Sequence, residues 1–158
     1  MFSQDFREFI QALNNQAVRY LVIGGYAVAF HGEPRYTKDL DIWIQLSPEN
    51  AARLVRALDT FGFGSLNLRV EDFLAPDEVV QLGYPPNRID LLVSLQGVDF
   101  ETCYTLRVET VMDDVLVNFI DLENLKKNKQ ATGRLQDLAD LENLMKGEHK
   151  RGRNAKDR

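Results

Sequence analysis

The stretch LVIGGYAVAFHGEPRYTKDLDIWI, residues 21–44, joins an apolar segment, a glycine pair, a short helical segment and an Asp-x-Asp. Its last part decides the fold. In DLDIWIQL (39–46), Leu40, Ile42 and Ile44 alternate with Asp39, Asp41, Trp43 and Gln45, which is the two-residue period of a strand. At a rise of about 3.3 Å per residue, the two carboxylates project from one face with Cβ atoms roughly 6.5 Å apart. A buried charge costs several kcal/mol unless it is paired. The partner must be a basic side chain or a metal ion.

Working outward, RYLVI (19–23) reads as a short apolar strand that runs into Gly24-Gly25. YAVAFHG has helical composition and stops at Gly32, and EPRYTK (33–38) is a loop because Pro34 forces the residue before it out of the α region. Upstream, Phe2, Phe6, Phe9, Ile10 and Leu13 recur at helical spacing behind Ser3, predicting a helix over 3–15. Downstream, Ser47 and Pro48 begin a helix that reaches about Phe61, with Ala51, Leu54, Val55 and Leu58 as its buried stripe. Residues 64–78 are weakly patterned, with a short helix near Glu71–Leu74.

EVVQLG (78–83) and NRIDLLVS (87–94) read as two strands joined by a Tyr84-Pro85-Pro86 turn, and VLVNFI (115–120) as a further strand. Asp121 caps a helix to about Asn128, Gly133 interrupts, and LQDLADLENLMKG makes a last amphipathic helix ending at Gly147. Connections between the later strands are too short for parallel crossovers, so the sheet should be mixed. The expected fold class is α/β (α+β), a mixed sheet flanked by helices. One domain should span 1–147, with a core over 18–120, C-terminal helices over 121–147 and a basic, disordered tail over 148–158.

A length of 158 residues suits one domain with one core. No apolar run approaches the roughly 18–20 residues of a membrane span, and MFSQDFREFIQAL does not read as a signal peptide. The single cysteine, Cys103, excludes an internal disulfide and suggests a reducing, cytoplasmic setting. His31 and His149 are far apart in a chain without a Cys/His cluster, so a structural zinc site is out. Any metal should be a hard cation on oxygen ligands, Mg2+ or Mn2+. The net charge of −5 is uneven: residues 146–158 carry a local +4 and leave −9 on the rest. That tail is either a solvated end or an arm for a phosphate-rich partner. The acidic body argues against tight, sequence-general nucleic-acid binding through the folded surface.

With 14 aspartates, chance alone supplies about one Asp-x-Asp, so the pair has meaning only in context. Asp90 is a third acid interrupting an apolar strand pattern, and neighbouring strands lie about 4.8 Å apart. Three carboxylates on adjacent strands can hold two Mg2+ ions about 3.5–4 Å apart, the arrangement that clamps a transferring phosphoryl or nucleotidyl group. The other reading is that Asp41 or Asp90 forms a structural ion pair with Arg35 or Arg88. Gly24-Gly25 stands where a strand hands over to a helix, a place where backbone N–H groups form an anion pocket and no Cβ obstructs phosphate. The G-x-G-x-x-G spacing of dinucleotide folds is absent.

Ile23-Gly24-Gly25, a thirteen-residue spacer, Asp39-Leu40-Asp41-Ile42 and the later Asp90 together resemble the signature of the polymerase-β-like nucleotidyltransferase superfamily. FHGEPRYTKDLDI and the helical end look like the small bacterial nucleotidyltransferases that include toxin components of abortive-infection and toxin–antitoxin systems. The resemblance implies a minimal nucleotidyltransferase fold in which Gly24 and Gly25 seat the triphosphate. Asp39 and Asp41 would bind both metals, and Asp90 would hold the catalytic metal and assist deprotonation of the acceptor hydroxyl. Arg35 and Thr37 would flank the site, with Lys129, Arg134 or Lys126 reaching phosphate from the C-terminal helices, Lys129 first among them.

It also implies a nucleoside triphosphate such as ATP as substrate, two Mg2+ or Mn2+ ions, an acceptor such as tRNA, a protein or a small molecule, a cognate antitoxin or other partner protein, and no membrane. The chain departs from many active members in having Gly-Gly in place of Gly-Ser, and in lacking a large second domain to fix the acceptor. His31 reads as a helix-end residue; Trp43 either stacks a base or packs at the sheet edge. Two functions of different class follow: a metal-dependent nucleotidyltransferase, or an inactive nucleotide-binding and partner-interaction module of the same fold. A glycosyltransferase would leave Gly24-Gly25 and Asp90 unexplained.

Overall fold

The computed structural model describes residues 2–156, and for Ser65 and residues 149–156 the backbone alone. In chain order the elements are α1 (Gln4–Asn15), β1 (Tyr20–Ile23), α2 (Gly24–His31), β2 (Leu40–Ile44), α3 (Pro48–Phe61), β3 (Val79–Leu82), β4 (Ile89–Leu92), α4 (Phe100–Thr105), β5 (Val108–Met112), β6 (Val115–Phe119), α5 (Leu122–Thr132) and α6 (Leu135–Lys156). Two 3-10 turns, Gly64–Leu66 and Val70–Phe73, fill the stretch after α3.

Local chemistry sets the helix starts. The Ser3 and Ser47 hydroxyls accept from the Phe6 and Asn50 N–H groups, and Pro48 occupies the first turn of α3. The carboxylates of Asp99 and Asp121 do the same for α4 and α5. Gly62 and Gly133, both at positive φ, end α3 and α5.

The six strands form one mixed sheet in the order β3-β4-β2-β1-β6-β5. β1 pairs antiparallel with β2 and parallel with β6, while β2 pairs parallel with β4. The expected Tyr84-Pro85-Pro86 connection joins β3 and β4 as an antiparallel pair. The mixed sheet with helices against it is the expected α+β class.

Two elements were not foreseen. α4 and β5 lie in the stretch between β4 and β6, so the sheet has one strand more than the sequence suggests. β5 is an edge strand whose Val111 is exposed, and its sequence, VETVM, lacks the apolar weight that marks a buried strand. α4 explains a second departure. Trp43 shares a parity with the acids, yet it is only 2 % exposed, because Phe100 of α4 packs edge-on against it with ring centroids 5.1 Å apart.

The core gathers around β1, all four of whose residues are buried, and Leu40, Ile42 and Ile44 of β2. Phe6, Phe9, Ile10 and Leu13 of α1 and Leu54 and Leu58 of α3 complete it. Asn50 fastens α3 to the strand ends: its Oδ1 accepts from the Arg19 N–H at 2.8 Å, and its Nδ2 donates to the Arg19 and Gln45 carbonyls. His31 is buried and donates from Nε2 to the Ile120 carbonyl at 2.7 Å, in keeping with a helix-end residue.

The last helix differs most from expectation. α6 continues through Gly147 to Lys156, because each glycine costs a helix only about 1 kcal/mol, and Gly147 permits a close crossing. A Cβ at Gly147 would stand 3.2 Å from the Gly32 Cα. The side chains of 149–158, and with them the chemistry of the expected basic tail, lie outside the described residues. α6 also turns Asp137, Asp140 and Leu144 inward, leaving Leu135, Leu138 and Met145 exposed.

Candidate active site

The site begins as a register. β2 and β4 run parallel with Leu40 beside Ile89 and Asp41 beside Asp90, and β1 brings Ile23 against Asp41 on the other side. Asp-Leu-Asp and Arg-Ile-Asp therefore lie side by side, and on one face four side chains form a patch: Asp39 and Asp41 on one strand, Arg88 and Asp90 on the other. Three of the corners are acids. The fourth is a guanidinium.

Arg88 forks between two of those acids. Its Nη2 donates to Asp39 Oδ2 at 2.7 Å and to Asp90 Oδ2 at 3.2 Å, and its Nε donates to Asp90 Oδ1 at 3.0 Å. The structural ion pair thus forms for Asp90 and also takes in Asp39, which was not expected, with Arg88 as the partner; Arg35 pairs with Asp140 instead. Among the described residues, no cation is in contact with Asp41. Burial pushes its carboxyl up, and the Asp90 and Asp39 charges and a hydrogen bond to Asp90 add to this, reaching about 7. The Lys129 charge pulls weakly the other way.

Gly24 adjoins Asp41. Its φ of +65° lies in the left-handed region, and a Cβ there would overlap Asp41 Oδ2. A Cβ on Gly25 would stand 2.6 Å from Thr37 Cγ2 and 3.0 Å from both Arg35 Nη2 and Thr37 Oγ1. The glycine pair, Arg35, Thr37 and Asp41 are thereby one contiguous surface at the start of α2. Beside it a cleft of about 370 Å³ is lined by Tyr26, Ala29, Pro34, Arg35, Tyr36 and Thr37.

The C-terminal helices bring cations to the same side, held by acids that the sequence reading did not single out. Lys129 is 7 % exposed and its ammonium lies 3.1 Å from Asp140 Oδ2 and 3.4 Å from Asp137 Oδ1. Arg134, whose side chain is 79 % exposed, reaches Asp137 Oδ2 at 2.7 Å, and Arg35 Nε reaches Asp140 Oδ1 at 3.0 Å. Burial alone would raise the Asp137 carboxyl. Hydrogen bonds from Arg134 and Thr132 and the Lys129 charge outweigh it and bring the group down to about 2. Lys126 pairs instead with Glu123 and Glu148. The signal for Asp137 and Asp140 was their three-residue spacing in LQDLADL, in phase with Leu144 rather than with Leu135 and Leu138.

Whether this patch suits divalent metal turns on its donors and on what they already hold. All three acids supply hard oxygen ligands, and a bridging cation already sits among them in the form of Arg88. No group of three or more His, Cys, Asp or Glu among the described residues stands in metal-holding geometry. The donors are hard oxygens of the kind Mg2+ or Mn2+ takes, and the Arg88 guanidinium occupies three of them.

No protein-family model matches the chain, and no curated protein does. Solved structures do match it. One is a candidate nucleotidyltransferase from Thermotoga maritima, with a TM-score of 0.53 and 17 % identity, over 89 % of this chain and 88 % of that one. Another is an antigenic nucleotidyltransferase-like protein from Paracoccidioides brasiliensis, with a TM-score of 0.53 and 16 % identity, over 91 % of this chain and 76 % of that one. At these identities the likeness is one of fold: this chain has the minimal nucleotidyltransferase fold. Among the described residues, no helix is long and apolar enough to cross a membrane.

Proposed function

We propose that the protein is a metal-dependent nucleotidyltransferase that moves a nucleoside monophosphate from a nucleoside triphosphate to an acceptor hydroxyl. The observation that carries this is the row Gly24, Asp41, Asp90: a turn with no room for a side chain abuts one of two carboxylates paired across parallel strands. Asp39, Asp41 and Asp90 would hold two Mg2+ or Mn2+ ions, which supply charge stabilisation at the α-phosphate and leaving pyrophosphate and lower the pKa of the acceptor hydroxyl.

The chain's own groups do the rest. The turn at Gly24-Gly25 receives the polyphosphate, with Arg35 and Thr37 beside Gly25 as donors. Arg134, exposed and tied among the described residues to Asp137, can turn toward phosphate. Lys129, committed to Asp137 and Asp140, acts through its field, favouring the ionised form of Asp41. Tyr36, at 78 % exposure, offers the cleft an aromatic face for the base. Asp90, nearest the Asp41 carboxyl, is the group to accept the acceptor's proton. The acceptor is tRNA, a protein or a small hydroxyl compound, in a cytoplasmic setting and as part of a toxin–antitoxin pair.

The test is transfer of label from α-labelled triphosphates to total tRNA, protein and a panel of hydroxyl compounds, with and without Mg2+. Asp41→Asn should abolish transfer while circular dichroism keeps its folded signature; transfer that survives the substitution defeats the assignment.

A second reading, a nucleotide-binding module without turnover, is favoured by the salt bridges of Arg88 to Asp39 and Asp90. It requires Mg2+-independent nucleotide binding and no pyrophosphate release with any acceptor in that panel.

A further inference from the structure

The patch of three acids and one arginine has a consequence for how metal enters. Divalent cations bind carboxylates that are free to converge, yet here one guanidinium claims three oxygens, one on Asp39 and two on Asp90. That is the strong, forked geometry peculiar to arginine. The placement follows from register, since Arg88 stands beside Asp39 at the start of the same parallel pair that sets Asp41 beside Asp90. The Arg88 side chain keeps 31 % of its surface in solvent, so it has a way out. Its backbone is fixed, because its carbonyl accepts from the Leu40 N–H at 3.1 Å. Whatever displaces the guanidinium leaves it tethered next to the site.

We propose that Arg88 is a built-in competitor of the divalent cation, bridging Asp39 and Asp90 in the free protein and released when metal binds. This rests on the nucleotidyltransferase reading of the three acids. Metal uptake by the free protein is then weak, since each ion must break a forked ion pair. Uptake becomes cooperative with a polyphosphate, because the released guanidinium finds phosphate oxygens of the geometry it prefers.

The experiment is calorimetric titration with Mn2+ alone, on wild type, Arg88→Gln and Arg88→Lys. Arg88→Gln should bind Mn2+ at least ten-fold more tightly than wild type, and Arg88→Lys should fall between, since an ammonium cannot fork. With a non-hydrolysable triphosphate present, the wild-type disadvantage should shrink. Equal Mn2+ affinity in wild type and Arg88→Gln overturns the competition while leaving the metal site standing. No Mn2+ binding by any of the three, with or without the triphosphate, overturns the competition and the metal-dependent reading together.

A wild-type measurement guards against a variant that fails to fold. The Arg88 Nε–H resonance, held by Asp90, should shift or broaden away at saturating Mg2+ with the triphosphate. A resonance unmoved while calorimetry registers bound Mg2+ also overturns the proposal.

Discussion

Asp41 carries the electrostatic cost of the site. Its carboxyl rises from the ordinary 3.8 to about 7, so in the metal-free protein its ionisation opposes folding. The penalty is absent below pH 4, where both states are protonated, grows between pH 4 and 7, and is complete above 7. Asp41→Asn in chelator should therefore unfold several degrees higher than wild type at pH 8 and show no such gain at pH 4. Thermal melts at the two pH values check this, and equal shifts at both would contradict it. Gly24 carries the steric cost. Gly24→Ala meets both a positive φ and the Asp41 oxygen, and should cost about 1–3 kcal/mol in urea unfolding, the scale of local backbone strain. Both positions lower stability where they build the site.

At the scale of elements, the α5–α6 corner is held by charge. Lys129 lies between Asp137 and Asp140, each at most 2 % exposed. Lys129→Met removes the shared cation and should destabilise by about 3–5 kcal/mol, as losing one side of a buried ion pair does; urea unfolding measures it. Asp137 adds a pH signature. Its folded carboxyl, lowered to about 2, contributes stability that is full above pH 4 and lost as pH falls toward 2. Asp137→Asn should flatten that part of the acid unfolding curve.

These elements differ in how far the sequence exposed them. Alternation in Asp39–Leu46 and the turn residues 84–86 revealed β2 and the β3–β4 pair, because both signals are local. α4 and β5 were hidden because neither carries a periodic apolar face long enough to stand out. The inward acids of α6 were hidden for another reason. A helix with leucines at 135, 138, 141 and 144 offers two phases, and only the distant Lys129 and Arg35 select the one that buries aspartate. The three acids of the site could be found from pattern. That Arg88 would fork Asp39 and Asp90 required the parallel register of β2 and β4, which links residues 49 positions apart.

At the scale of the whole molecule, ligand and fold are linked. A metal and triphosphate that bind only the folded chain, at a hundred times their dissociation constant, add about 2.7 kcal/mol. For a domain of this size that is a rise of roughly 5–10 °C in Tm. Thermal melts with Mg2+ and a non-hydrolysable triphosphate should show it in wild type and lose it in Asp90→Asn.

The contact of α6 with the start of the glycine-to-aspartate loop reaches furthest. Asn143 exchanges two hydrogen bonds with the backbone of Glu33, 2.8 Å at the N–H and 3.1 Å at the carbonyl, just before Arg35 and Thr37. A turn further on, Gly147 lies against Gly32. The middle of α6 is thus a latch on the loop that leads to Arg35 and Thr37. Anything that lifts that stretch of α6 would free the loop without touching a single acid.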